Sequence, residues 1–334
     1  MRYLIRVLGL CLSLSGFAQD RLSGYVYSAQ DSTALADVSI YFDGTTLGTI
    51  TNKDGHYSIA IQPGVKSALV ISMLGYNPVY INNYQNISEL PVVYLTESTE
   101  QLGEVFLETD PWSREHKMRE FKREFLGGTE VSKNVKILNE EVIKLHYSAS
   151  KKRLVAWATK PIQIENKYLG YVIDYELQDF YIDYEKSLKS DLNLVYMVYY
   201  AGTSFFRELK PKVPRRFKKH RDEAFEGSTL HFMRSLANQK LGEHGFRIFH
   251  KSFEVAPYQF FKLQQGEENI HVEQTAEQLS ILFDNDQQSS ITAKVPFQID
   301  KFGNHFPPSG IIIGGAMGRR RLAMMLPQNY KLQP

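Results

Sequence analysis

Two features combine residue types that can do chemistry, and they overlap. His220 and Glu223 stand at an H-x-x-E spacing, which sets an imidazole and a carboxylate one helical turn apart, as in sites that supply two zinc ligands. With nine His in 334 residues, one such spacing is about what chance supplies. The neighbours Arg215, Arg216, Lys218, Lys219 and Arg221 would repel a dication. That basic run is the second feature. Arg207, Lys210, Lys212, Arg215, Arg216, Lys218, Lys219 and Arg221 face a single acid, Glu208, giving residues 207–221 a local charge of +7. Such density suits contact with lipid phosphates, lipopolysaccharide or an acidic glycan. A solvated helix entry and loop containing Pro211 and Pro214 accounts for the same residues without a ligand.

Other patterns fall short of a site. Gly314-Gly315-Ala316-Met317-Gly318 lacks the Lys-Ser/Thr of a phosphate loop and any following helix pattern. Asn52-Lys53-Asp54-Gly55 offers oxygens to calcium, but Ile50 stands where the first acidic ligand belongs, so a tight hairpin turn is expected. No nucleophile-elbow pattern supports a Ser-His-Asp set. No catalytic, cofactor-binding or metal-ligating residue is assigned, and no cofactor is expected.

The elements that position these residues belong to an ordinary folded protein. The composition is 43% hydrophobic and 23% charged, and the net charge of +2 argues against a strongly basic nucleic-acid binder. One cysteine, Cys11, excludes a disulfide scaffold and a Cys-based zinc site. Arg2 and Arg6, the apolar run through Leu14, and Gly16-Phe17-Ala18 read as an export signal cleaved after residue 18. Without residues 1–18 the chain is neutral and free of cysteine. No later stretch is long and apolar enough for a transmembrane helix, and export removes nucleic acid as a partner.

Residues 19–108 read as a β-sandwich. Leu22–Tyr27, Val38–Phe42, His56–Ile61, Ala68–Met73 and Val92–Leu95 are short strands with turn signals between them. Gly24-Tyr25-Val26, Ala36-Asp37-Val38-Ser39-Ile40, Gly48 to Asn52 with Asp54 to Tyr57, and Leu74-Gly75-Tyr76 together resemble the carboxypeptidase regulatory-like domain. The resemblance implies a transthyretin-like sandwich of about seven strands. It also implies an accessory module without catalytic residues, as found beside metallopeptidases and at the N-termini of TonB-dependent receptors. Gln101 to Val105 is similar to the segment that leads into a receptor plug. The roughly 225 residues beyond are too few for a plug and a large barrel.

Residues 109–334 read as an α+β region with a mainly antiparallel sheet. Asp110-Pro111 suits a helix start, Met118, Phe121, Phe125 and Leu126 keep helical spacing, and Gly127-Gly128 ends the run. From Leu169 to Tyr184 apolar residues alternate, and the face switches near Gln178-Asp179, which predicts a bulge. Leu192–Tyr200 is apolar on both faces and reads as a central strand. The spacing predicts a helix over 228–241, capped by Ser228 and ended by Gly242 or Gly245. Strands follow at Phe246–Phe253, Tyr258–Leu263, Leu279–Phe283, Ile291–Val295 and Phe297–Phe302, with a last pair near Ile311 and Leu322.

Trp112, Phe125-Leu126-Gly127, Pro161 to Asn166, Leu169-Gly170-Tyr171, Phe205-Phe206 and Leu326-Pro327 resemble the body of exported proteins that carry the same module. This implies residence in a Gram-negative envelope, in the periplasm or at the outer membrane, and supplies no reaction. The expectation is an envelope protein that binds a protein, glycan or lipid-surface partner. A zinc carboxypeptidase-like hydrolase or a structural outer-membrane component is the alternative.

Overall fold

In the computed structural model, residues 21–62, 67–84, 87–98, 108–186, 193–266, 269–307 and 310–331 are described. The expected export signal at 1–18 and the segment Gln101 to Val105 lie outside them.

The first region builds seven strands: β1 (Arg21–Ser28), β2 (Ser39–Phe42), β3 (Gly48–Ile50), β4 (His56–Ala60), β5 (Leu69–Ser72), β6 (Val79–Ile81) and β7 (Val93–Leu95). They form a three-stranded sheet, β4-β1-β7, and a four-stranded sheet, β3-β2-β5-β6. Alternation along β1 buries Leu22 and Val26, which share one core with Ile40, Phe42, Leu69 and Ile71 of the other sheet. This is a β-sandwich. The Asn52–Gly55 segment is a tight turn, with Asn52 Oδ1 accepting from the amides of Asp54 and His56 at 3.0 Å each. It is not a hairpin. β3 pairs with β2 and β4 pairs with β1, so the turn carries the chain from one sheet to the other. β3 and β6 escape sequence patterning because three residues are too few to show a period.

The helix α1 (Arg114–Leu126) starts later than Asp110-Pro111 suggests. Ser113 is its N-cap, and Ser113 Oγ accepts from the His116 amide at 3.2 Å. Asp110 instead accepts from the amides of Trp112 (2.9 Å) and Tyr147 (3.0 Å) and pairs with Lys117. Gly127, at φ 111, ends the helix as expected. The buried face of α1, with Met118, Phe121, Phe125 and Leu126, packs on a six-stranded sheet. That sheet holds β8 (Val135–Ile137), β9 (Ile143–Ser148), β10 (Arg153–Ala158), β11 (Ile162–Asn166), β12 (Tyr171–Lys186) and β13 (Asn193–Glu208). Each fully buried Phe contributes on the order of 2–3 kcal/mol.

β12 is the axis of this sheet. It pairs with β11 and then β10 on one edge, and along its length with β13 on the other. The register slips between Leu177 and Asp179, the predicted bulge, and this turns Phe180, Ile182 and Tyr184 into the core. The long Tyr-rich alternation is therefore the middle of a half-buried sheet. β13, by contrast, is not central. Its only strand partner among the described residues is β12, and Leu194 and Tyr196 stand 54% and 70% exposed.

Two helices follow, α2 (Arg215–Phe225) and α3 (Thr229–Ala237). Ser228 caps α3, and its Oγ accepts from the His231 amide at 3.1 Å. The helix stops at Asn238, short of Gly242, because Gln239 takes a left-handed φ of 56. Against α3 packs a five-stranded sheet, β15-β14-β18-β19-β22, with a smaller sheet, β16-β17-β20-β21. The strands are β14 (Phe246–His250), β15 (Phe253–Val255), β16 (Phe261–Gln265), β17 (Ile270–Gln274), β18 (Leu279–Phe283), β19 (Gln287–Ala293), β20 (Phe297–Ile299), β21 (His305–Phe306) and β22 (Ile311–Gly314). The run Phe246–Phe253 breaks into a hairpin at Lys251 and Ser252, both at positive φ. Gly315–Arg319 forms a short helix, α4, and Leu322 lies in a 3-10 turn rather than a strand. Among the described residues, antiparallel sheets dominate and helices are few: α+β.

The sandwich packs directly on β13. The Gly44 amide donates to Ser204 O at 2.7 Å, the Ser204 amide donates to Asp43 Oδ1 at 2.8 Å, and the Tyr41 and Thr203 hydroxyls meet at 3.2 Å. Phe302, far along the chain, is 2% exposed and lies in the sandwich core.

Candidate functional site

The eight cations of residues 207–221 divide into two groups. Arg221 on α2 is buried. Its Nε donates to Leu169 O at 2.8 Å, its two terminal nitrogens reach Glu208 at 2.9 and 2.6 Å, and its guanidinium lies 3.7 Å from the Tyr171 ring centroid. Arg207 pairs across strands with Asp174, at 3.1 and 2.7 Å. Arg221 is structural, and Arg207, though 49% exposed, is neutralised by Asp174, so the expected patch loses both as free charges. Lys210, Lys212, Arg215, Arg216, Lys218 and Lys219 remain exposed. Lys219 approaches Glu223 at 3.8 Å, a solvent-exposed pair of little energetic weight.

Helix and loop are held so that these cations point outward. Phe217, 1% exposed, seats against Gly170, where a Cβ would lie 2.1 Å from the Phe217 ring. Pro214 precedes the helix and supplies no side-chain cap, and the first turn contains no acid. Arg215 and Arg216 thus sit at the positive end of the helix dipole, an arrangement that costs about 0.3–1 kcal/mol per charge. An anion at this surface would relieve both the like-charge repulsion and the dipole conflict.

His220 and Glu223, the pair at H-x-x-E spacing, lie on α2. Both engage Tyr168. The His220 ring stacks on the Tyr168 ring (centroids 3.9 Å apart, planes 3° apart) and its Nδ1–H donates to Tyr168 O at 2.8 Å. Glu223 Oε2 accepts from the Tyr168 hydroxyl at 3.0 Å. Among the described residues, no group of three or more His, Cys, Asp or Glu is arranged to hold a metal. No helix among them is long and apolar enough to cross a membrane.

Sequence spacing missed a cavity of 1180 Å³ where the sandwich, the β13 end of the large sheet and the third group of strands meet. Asp43, Tyr200, Asn304 and Gln328 all line it, from four distant stretches of chain. No periodicity links such positions, so only their juxtaposition reveals the site. Burial pushes the Asp43 carboxyl up to about 6 against the two amides that hold it.

Residues 22–107 match the family model of the CarboxypepD_reg-like domain. This stretch is a CarboxypepD_reg-like domain. Over 107 residues the chain is also 31% identical to the TonB-dependent receptor SusC of Bacteroides thetaiotaomicron. That match takes in 30% of this chain and 10% of the receptor, so the chain spans about a tenth of its curated relative. Two solved complexes also align, both type II Cohesin-X-Dockerin interface mutants from Acetivibrio cellulolyticus. One is 21% identical over 23% of this chain and 57% of its own, with a TM-score of 0.20. The other is 17% identical over 34% and 78%, with a TM-score of 0.21. Scores this low carry no argument about the fold.

Proposed function

We propose that this is an exported cell-envelope protein that docks on an anionic lipid surface, with its CarboxypepD_reg-like domain acting as an accessory module. The observation that carries this reading is the exposed set Lys210, Lys212, Arg215, Arg216, Lys218 and Lys219. These residues contain no interspersed acid, and four of them lie on a helix whose start they destabilise. Each cation near an anionic membrane contributes about 1 kcal/mol, so six supply enough for reversible, salt-sensitive attachment. The TonB-dependent receptor likeness, together with the export-signal pattern read in residues 1–18, supports an envelope setting, where lipid phosphates are at hand. The opposing account, a zinc hydrolase built on His220 and Glu223, has less support because, among the described residues, no third His, Cys, Asp or Glu joins them in an arrangement that could hold a metal.

Vesicle co-sedimentation tests the proposal. Vesicles of phosphatidylethanolamine with phosphatidylglycerol should retain the protein at low salt and release it as salt rises, and neutral phosphatidylcholine vesicles should not retain it. Charge reversal at Lys212, Arg215, Arg216 and Lys218 to Glu should abolish retention. Equal binding to both vesicle types, or retention by the reversed variant, would sink the idea.

A further inference from the structure

The cavity at the meeting of the three parts is independent of the exposed basic surface, and its chemistry differs. The charges around it are already satisfied. Arg320 donates to Ala224 O, Glu226 O and Gln287 Oε1, each at 2.6 Å. Arg321 faces Glu124 at 3.6 Å. Asp300 accepts from the amides of Phe302 and Asn304 and from the Asn304 side chain, at 2.8 to 2.9 Å. Asp43 is held by Ser204. An anionic ligand would find no uncommitted guanidinium among these groups, and both carboxylates already accept from amide donors.

The lining also holds neutral side chains that both donate and accept. Asn82 and Asn83 stand exposed on the sandwich side. On the opposite side Asn304 Nδ2 donates to Gln328 Oε1 at 2.9 Å and Gln298 Oε1 accepts from Asn269 at 3.1 Å, so each of these paired amides keeps only part of its hydrogen-bonding capacity for a ligand. Between these amides lie apolar surfaces. Phe306, 68% exposed, and Ile87, 37% exposed, sit at the rim, with Met324 and Met325 on the wall. The space of 1180 Å³ exceeds the about 300–1,000 Å³ of a typical small-molecule pocket. Its wall is also strained. Arg321 takes φ 34, ψ −166, a conformation costing about 1–3 kcal/mol for a side-chain-bearing residue, and such strain concentrates at ligand sites.

We infer that this cavity binds a neutral oligosaccharide. A sugar ring has apolar C–H faces to lay on Phe306 and a rim of hydroxyls that give and accept hydrogen bonds, as amides do. It carries no charge that would have to be desolvated without a partner. A peptide would instead call for a free strand edge or a continuous apolar groove, and the amide-studded wall is neither.

Calorimetric titration of the full chain with maltohexaose, cellohexaose and N-acetylchitohexaose tests this site. At least one should bind saturably. Phe306→Ala and Asn83→Ala, both at exposed positions that leave the fold intact, should each weaken that binding about tenfold, the loss of one good contact. The variant with the reversed basic surface should bind the sugar like the parent, which separates this site from the lipid-docking proposal. The inference is overturned if none of the three sugars binds at millimolar concentration. It is equally overturned if both variants bind as the parent does, or if a mixed peptide library displaces the sugar.

Discussion

Arg221 on α2 and Glu208 at the end of β13 form a two-pronged ion pair, with contacts of 2.9 and 2.6 Å, beneath an exposed basic surface. The Arg221 side chain is 6% exposed and Glu208's is 37% exposed, so the pair is sealed on the arginine side. Removing the guanidinium leaves Leu169 O and Glu208 without their donor. Because Glu208 is partly solvated, the main cost is the lost donor to Leu169 O and the lost packing, and Arg221→Ala should lower stability by about 1–3 kcal/mol in urea unfolding. Lys218→Ala, on the same helix but in solvent, should stay within about 0.5 kcal/mol of the parent. Equal effects would show that Arg221 is not structural.

The sandwich meets the large sheet through a glycine. A Cβ at Gly48 would lie 2.3 Å from the Phe205 ring, so Gly48→Ala forces that ring off its seat. The expected cost is about 1–3 kcal/mol from overpacking. Gly48→Ala with Phe205→Leu should recover part of it, and thermal unfolding of the three variants measures the coupling.

Two buried groups give stability opposite dependences on pH. Burial lowers His231 from 6.5 to about 4, so the fold holds it neutral. The unfolded chain protonates first as pH falls below 6.5, and stability is lost progressively down to about pH 4. Burial raises Asp43 from 3.8 to about 6, so its contribution is fully present below 3.8 and is lost as pH rises through 6. Glu176, raised by the same cause, acts in the direction of Asp43. Between pH 4.5 and 6 the effects oppose. Asp43→Asn should therefore steepen acid destabilisation relative to the parent, and His231→Asn should reduce or reverse it. Denaturant midpoints at pH 4.5, 5.25 and 6 give the slopes; identical slopes in all three proteins would refute the assignment.

Export carries its own expectation. Protein purified from the envelope of its native host should begin at Gln19, as read by N-terminal mass spectrometry. A chain recovered mainly from the cytoplasm with Met1 intact would contradict the proposed setting.

Within the sequence, legibility follows the range of the interactions involved. β1, α1 and β12 are written in patterns of period 2 and 3.6, since each buries one face against whatever partner it meets. The bulge after Leu177 is visible because the apolar face visibly switches. The basic run is likewise legible, because charge is a property of composition.

What local pattern cannot encode is which partner each element finds. β13 looks central because both faces are apolar, yet its outer edge is open along Leu194 and Tyr196, a consequence of sheet order. The eight cations look equivalent, yet Glu208 and Asp174 remove two of them through folded contacts. The Tyr41–Thr203 contact spans 162 residues, and the cavity behind it draws on many separate stretches of chain. The sequence alone determined the long patterned elements, β1, α1 and β12, and where charge accumulates, because these follow from neighbouring residues. The short strands β3 and β6 and the helix α2 became visible only in the fold. The tertiary structure alone decided which cations face solvent and where a ligand could enter, because burial and pairing are set by residues far apart in the chain.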